Sequence, residues 1–401
     1  MSGVTNGQFQ IINARIVTPE GVIDNGIVRV KDGLISEIEH FASMYAETKA
    51  DAELETIDAK GSWLIPGFID VHVHGGAGHD FMDADAEGVE AITRFHASNG
   101  TTSMLATTLT ASREDLTAVM DIVSAFMSKP MPYAQLVGVH LEGPFVNVKW
   151  KGAQNPAYIL PPQPDWLDEW VNRFPGLIKI QTLAPENEGS LPYIEKLAAN
   201  GIVPSCGHTD ATYDQIIAAA DHGLRHAVHT FNAMTPLHHR QPGTVGAVLT
   251  DDRIVAEVIA DGHHVHPAGI KLITRAKGTH NVILVTDAMS AAGMPDGDYD
   301  LGGLPVHMKC GVARLKENDS LAGSTLTMIG AVRYLIREIG VSVEEASRMA
   351  SANPARQLGI DDRKGSLTVG KAADFLLLDE ALELQATWIG GRRISDTPAS
   401  H

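Results

Sequence analysis

Apolar positions follow two different patterns along this chain, and the change comes near residue 65. Before it, residues 9–17 and 26–30 alternate apolar with polar, as half-buried strands do. Lys31-Asp32-Gly33 then forms a hairpin turn signal, with residues 34–38 as the return strand. Residues 63–73 are apolar, broken by Pro66 and Gly67. Beyond them, short and mainly apolar runs recur at 103–106, 136–139, 178–183, 202–204, 227–228, 254–259 and 282–285. Such runs suit parallel strands covered on both faces. The eight expected strand ends fall near His74, Thr108, Glu142, Pro185, His208, His229, Asp261 and Asp287. Helix-like stretches lie between several of them, at 87–98, 113–127, 193–200 and 213–222. Gly100, Gly201 and Gly223 follow three of these helices, where a C-terminal cap belongs. Strand–helix alternation of this kind predicts an α/β fold, a (β/α)8 TIM-like barrel.

The chain returns to β pattern at its end, with two short strands expected in 365–378 around Gly370-Lys371 and another in 382–389. Both termini are then expected to build one small β-sandwich domain, from residues 1–65 and 365–401, flanking a barrel of residues 66–364. Two long connections stand out, 143–166 after the third strand and 290–323 after the eighth. Long loops on a barrel are more often functional than idle.

Composition narrows the partners. Over 401 residues, Lys plus Arg is 31 against 49 for Asp plus Glu, a net charge of −18. That balance disfavours nucleic acid and anionic membrane surfaces, both of which need clustered basic groups. Two cysteines, Cys206 and Cys310, cannot make a disulfide framework. Residues 1–9 carry no signal-peptide pattern, and no apolar run reaches the ~18 residues of a membrane span. The expectation is a cytoplasmic protein. The 18 histidines are the unusual feature, about twice the ordinary share.

Several of those histidines fall at expected strand ends. In His72-Val73-His74 the period of two puts both imidazoles on one side of a strand, where they can chelate one metal. Glu142, His208, His229 and Asp287 end the third, fifth, sixth and eighth strands. In a barrel these ends converge on one face. Four imidazoles and two carboxylates suit Zn²⁺, Fe²⁺ or a similar divalent ion. His40, His96, His222, His226, His280 and His401 are expected on helices, loops or termini and read as ordinary structural residues, while His79, His140 and His307 are left unassigned. Asn232 and Ala233 directly follow the sixth strand, and His238-His239-Arg240 forms a local positive cluster apt for an anion. A plain surface arginine is the competing reading there. Ser324 reads as a turn and helix N-cap.

These residues carry a family resemblance. Pro66-Gly67-Phe68-Ile69-Asp70-Val71-His72-Val73-His74-Gly75 resembles the opening signature of the amidohydrolase superfamily, and the stretch from Asn353-Pro354-Ala355 to Gly370-Lys371-Ala372-Ala373-Asp374 resembles its ending. Within that superfamily, His140-Leu141-Glu142-Gly143-Pro144-Phe145, Gly207-His208-Thr209, Phe231-Asn232-Ala233-Met234, Asp261-Gly262-His263-His264-Val265, Thr286-Asp287-Ala288 and Leu321-Ala322-Gly323-Ser324 are similar to the N-acetylglucosamine-6-phosphate deacetylase family. The resemblance runs the length of the chain. It implies deacetylation of an amino-sugar phosphate with one or two divalent metals per subunit, in amino-sugar catabolism and cell-wall recycling. It implies Glu142, His208 and His229 as main metal ligands, and His72 with His74 as a second-metal pair. Asp287 would be the acid/base as well as a ligand, and His264 would contact the substrate carbonyl region. Asn232, Ala233 through its backbone, and Arg240 would bind the phosphate, Arg240 reaching across a homodimer interface into the neighbouring active site. Gln154, beside Ala153, stands where some members carry a histidine that contacts the sugar phosphate. The expected fourth strand offers only Lys179 as a lysine, in its interior, so Glu142 is the better bridging carboxylate than a carboxylated lysine. Two alternatives stay open: an amidohydrolase acting on a different N-acyl substrate, and a non-catalytic interaction protein that keeps the barrel.

Overall fold

The computed structural model describes residues 8–40 and 54–394; His401 and residues 1–7 lie outside that range. Eight parallel strands follow one another around a sheet in chain order: Phe68–Asp70, Thr101–Thr108, Gln135–Glu142, Ile178–Leu183, Val203–Cys206, His226–Ala227, Val255–Ile259 and Val282–Val285. They are the first to eighth barrel strands below. Their residues are almost wholly buried, which is why the runs are mainly apolar rather than alternating.

The sheet closes just beyond its strand ends. Val73 and Ala288 form a parallel bridge, and the Asp287 N–H donates to the His72 carbonyl at 2.8 Å. Beneath that bridge, the Thr286 hydroxyl donates to Asp70 Oδ2 at 2.5 Å, and the other Asp70 oxygen accepts from the His72 N–H at 3.3 Å. One buried carboxyl thus ties the first strand to the eighth. Burial lifts its pKa to about 7, opposed by the Thr286 and His72 hydrogen bonds.

The outer helices form where their caps are written. Ala86–Ser98, Arg113–Met127 and Tyr213–Asp221 start at Asp85, Ser112 and Thr212, each of whose side chains accepts from the first turn. Gly100 follows the first of these at φ 91°, and a Cβ there would meet the Phe68 ring at 2.9 Å. The helix Gly243–Thr250 has no legible period because it is buried all round from Gly243 to Leu249.

The two ends of the chain build a separate β domain, hydrogen-bonded as one eight-stranded sheet. Gln8–Thr18 pairs antiparallel with Gly21–Lys31, and parallel with Glu55–Asp58 and Trp63–Pro66. Phe375–Leu378, from the other end, pairs antiparallel with Trp63–Pro66. The sheet encloses its own core of Phe9, Ile11, Ile16, Val28, Phe375 and Trp388. Asp32 and Gly33 sit at φ 51° and 78°, the left-handed pair that a two-residue hairpin turn needs. Residues 365–378 hold one strand rather than two: Gly370 and Lys371 form a turn, and only Ala372 bridges to Leu34. Gly370 at φ 90° ends any extended run there.

The long connection after the eighth strand is itself structured. Gly297–Leu301, Leu304–Lys309 and Val312–Leu315 form a three-stranded antiparallel sheet, packed through Leu301, Val306 and Met308 on Leu109 and Met289. It stands over the same barrel end as the expected site residues.

Replacing Thr286 by Val keeps the shape but leaves the buried Asp70 oxygen without its short donor. We expect a loss of about 1–3 kcal/mol in urea unfolding, while Thr286→Ser stays close to the parent. Equal stability of all three proteins would show that this contact does not hold the barrel closed.

Candidate active site

The ends of the first, third, fifth, sixth and eighth barrel strands bring their side chains to one place. His208, His229 and Asp287 each follow a strand with a left-handed backbone, at φ 48°, 28° and 51°. Non-glycine residues rarely adopt that conformation, and its cost is characteristic of functional sites. It turns the chain sharply off the strand.

The polar atoms converge on Glu142. Its Oε1 lies 3.1 Å from His208 Nε2 and 3.0 Å from His229 Nε2, and those two nitrogens are 3.1 Å from each other. On the other flank His74 Nε2 is 3.4 Å from Glu142 Oε2 and 3.1 Å from Asp287 Oδ1. His72 Nε2 is 3.4 Å from both Glu142 Oε1 and Asp287 Oδ1. All six groups are buried.

Two sets have the spacing of metal ligands: Glu142 with His208 and His229, and His72 with His74 and Asp287. The fit to divalent ions rests on the atoms themselves. Two imidazole nitrogens face each other and one carboxylate oxygen, and His72 Nε2 is buried with no hydrogen-bond partner. Lone pairs so placed suit a cation. His72, His140 and Glu257 also lie close together, but that set is already satisfied. His140 uses both ring nitrogens, on the Val71 carbonyl and the Thr182 hydroxyl, and His72 Nδ1 is taken by Glu257.

Electrostatics follow from burial and pairing. Burial pushes Glu142 up, but His72, His208 and His229 outweigh it and hold the carboxyl well below its usual range. Burial likewise opposes ionisation of Asp287, and His72 and His74 bring it below normal. His74 loses by burial but gains more from Asp287 and Glu142, rising to about 9. His140, by contrast, is driven down to about 3, by burial first and then the His72 charge, and stays neutral.

A cavity of about 360 Å³ opens on this cluster. His74, Glu142, His208, His229 and Asp287 line it, with Ala153, Gln154, Asn232, Ala233 and His264. His264 Nδ1 is held by Asp261 Oδ2 at 2.6 Å, so only Nε2 can serve a substrate. Gln154 is fixed at both ends of its amide: Oε1 accepts from Thr110 N and Nε2 donates to Glu142 Oε2, each at 2.7 Å. Arg240 is not brought into this cavity. It is exposed and lines a neighbouring one of about 730 Å³, which shares Lys149 and Trp150 with the first. Lys179 is absent from the cavity lining.

Other expectations change. His226 is no loop residue: it opens the sixth barrel strand, fully buried, 2.6 Å from Glu257 Oε1. His96 lies on a helix but is buried, bonded to the Gly75 carbonyl. Ser324 caps no helix; its hydroxyl donates to the Thr286 carbonyl at 2.5 Å, and Thr327 caps Met328–Tyr334. Residue-by-residue reading missed Trp150, whose carbonyl is 2.9 Å from His208 Nδ1, and Glu257. A carboxylate inside the apolar run 254–259 was the available signal for Glu257.

The amidohydrolase family model matches residues 63–394. The chain is 41% identical over 381 residues to the N-acetylgalactosamine-6-phosphate deacetylase of Escherichia coli O157:H7, covering 95% of this chain and 98% of that protein. It is 40% identical over 376 residues to the N-acetylglucosamine-6-phosphate deacetylase of Bacillus subtilis (strain 168), covering 93% of each. The crystal structure of N-acetylglucosamine-6-phosphate deacetylase from Pasteurella multocida superposes with a TM-score of 0.91 at 31% identity, over 97% of this chain and 100% of that one.

Protein stripped with a chelator and then given Zn²⁺ is expected to melt higher, by the equivalent of about 2.7 kcal/mol at a hundredfold excess over Kd. His208→Ala should lose most of that gain. An unchanged melting curve for the parent would remove the metal reading.

Proposed function

The chain belongs to the amidohydrolase family, and we propose that it hydrolyses the amide of N-acetyl-D-glucosamine 6-phosphate, giving D-glucosamine 6-phosphate and acetate. The observation that carries this reading is the convergence of Glu142, His208, His229 and Asp287 on one cavity, in a chain similar over its whole length to deacetylases of that name. A non-catalytic role is disfavoured, because such a chain has no reason to keep these groups together.

Glu142, His208 and His229 would hold one divalent ion, and His72, His74 and Asp287 a second; Zn²⁺ and Fe²⁺ both suit the donors. Bound there, the ion supplies a Lewis acid that makes water acidic enough to act near neutral pH. The chain's own groups do the rest. Asp287, which lines the cavity 3.1 Å from His74 Nε2, is placed to take a proton from the attacking water. It then returns that proton to the amine nitrogen, which cannot leave without one. His264 Nε2 is available to the acetyl oxygen as negative charge develops on it. Gln154 holds the Glu142 carboxylate at one angle, and with Ala153 walls the sugar side.

Asn232 and the Ala233 backbone line the outer part of the cavity and are assigned to the phosphate. Arg240 is assigned to the phosphate in the site of a second copy, in a homodimer. Its exposure on the chain's own neighbouring cavity supports that reading. The working compartment we assign is the cytoplasm, in keeping with the free thiols of Cys206 and Cys310.

A second reading has its own support. The relative from Escherichia coli O157:H7 is named for N-acetylgalactosamine 6-phosphate, which differs only in the configuration at C4. Acetate release from the two epimers, measured side by side with Zn²⁺ or Fe²⁺, decides between them. Release from neither sugar phosphate would overturn both readings.

Asp287→Asn should lower kcat by roughly two to four orders of magnitude while substrate still binds. Near-normal turnover would remove its proposed role. Arg240→Ala should raise KM for the phosphorylated sugar and leave the unphosphorylated one unchanged. Mixing Arg240→Ala with Asp287→Asn subunits should restore activity, because one site per heterodimer then has both groups. No recovery in confirmed heterodimers would place Arg240 elsewhere.

A further inference from the structure

Behind the cavity lies a second layer of ionisable side chains, centred on Glu257. It is the middle residue of the seventh barrel strand, Val255–Ile259, and is fully buried. Its strand neighbours are Ala256 and Val258, so packing alone would be served by an aliphatic residue there. A buried carboxylate costs several kcal/mol unless it is paired.

Glu257 is paired three ways. Oε2 lies 2.9 Å from His72 Nδ1 and accepts the His229 N–H at 3.2 Å. Oε1 lies 2.6 Å from His226 Nε2. An ionised carboxylate can only accept, so both imidazole nitrogens facing it carry protons. For His72 that decides the chemistry of the ring. With the proton at Nδ1, a neutral imidazole leaves its lone pair on Nε2, the atom that faces Glu142 and Asp287 at 3.4 Å. His140 closes the other side of the ring, edge to face at 4.7 Å between centroids. His72 therefore has one tautomer and little freedom to turn.

The same oxygen reaches the other ligand set. The N–H it accepts belongs to His229, whose φ of 28° is the most unusual of the strand-end residues in the cavity. One carboxylate oxygen thus touches a side chain of one set and the backbone of the other.

We propose that Glu257 is a positioning residue for the second ion: by fixing His72 it makes the His72–His74–Asp287 set able to bind a divalent cation, and through His229 it keeps that set in register with Glu142, His208 and His229. This rests on the reading of those histidines as ligands. Carboxylate partners of ligating imidazoles typically change metal affinity 10- to 100-fold when lost. In Glu257→Gln one of the two acceptor oxygens becomes an NH₂ group, which cannot accept from His72 or His226.

The test is a calorimetric titration of chelator-stripped protein with Zn²⁺, with bound metal counted by elemental analysis. The parent is expected to take two equivalents. In Glu257→Gln the second equivalent should weaken about 10- to 100-fold and the first far less. Glu257→Asp, which keeps the charge on a shorter stem, should fall between them, and it decides the matter if the Gln variant does not fold. Unchanged affinity for both equivalents would overturn the proposal. So would equal weakening of both, since a residue needed only for packing would act on the whole site. A parent that takes a single equivalent would also overturn it; acetate release from the same preparation would then show separately whether the deacetylase reading stands.

Discussion

The structure turns on the burial of charged groups in matched sets. Glu142 is 2% exposed and meets His72, His74, His208 and His229 within 3.4 Å. Taking such a carboxylate out of water costs several kcal/mol, which only well-placed partners can offset. The barrel supplies the placement: strand ends are rigid, and parallel strands put several of them on one face. Much else in the fold serves that arrangement. Asp70 and Thr286 close the barrel directly below His72 and Asp287. The loop after the third strand returns over the cluster, with the Trp150 carbonyl against His208 and Gln154 against Glu142.

The terminal domain is connected to this machinery through the chain itself. Trp63–Pro66 lies in the terminal sheet, and Phe68–Asp70, two residues on, is the first barrel strand. Gly67, between them, donates its N–H to the Asp374 carbonyl at 3.0 Å. Asp374 in turn pairs with the buried Lys364 and accepts from Gly390 N at 2.7 Å. The strand that carries His72 and His74 is thus anchored at its start by the far end of the sequence.

The barrel was legible because buried parallel strands leave mainly apolar runs, and because glycines marked three helix ends and histidines three strand ends. The groups that converge on the cavity were legible because imidazoles and carboxylates stand out at the ends of apolar strands. What escaped, apart from Glu257, had no local signature. Gly243–Thr250 is buried all round and therefore shows no helical period. His226 looked ordinary because its partner, Glu257, is 31 residues away in sequence. Arg240 showed its charge but not its place, because side-chain direction relative to a cavity is a tertiary property. The resemblance added roles that spacing alone could not, above all for Asn232, Ala233 and His264.

The histidines of the two proposed ligand sets are not equally constrained, and that difference orders the site. His208 is held from behind by the Trp150 carbonyl at 2.9 Å, His229 by the Asn232 carbonyl at 3.2 Å and His72 by Glu257 at 2.9 Å. In each case Nδ1 faces an acceptor, so Nδ1 carries the proton and Nε2 points inward with its lone pair free. His74 is the exception: its Nδ1 is buried with no hydrogen-bond partner. Its Nε2 faces Asp287 at 3.1 Å and Glu142 at 3.4 Å. Both imidazoles of the first proposed set are thus held from behind by backbone carbonyls. The second depends on Glu257 for one imidazole and, for the other, on the same carboxylates that a cation would share.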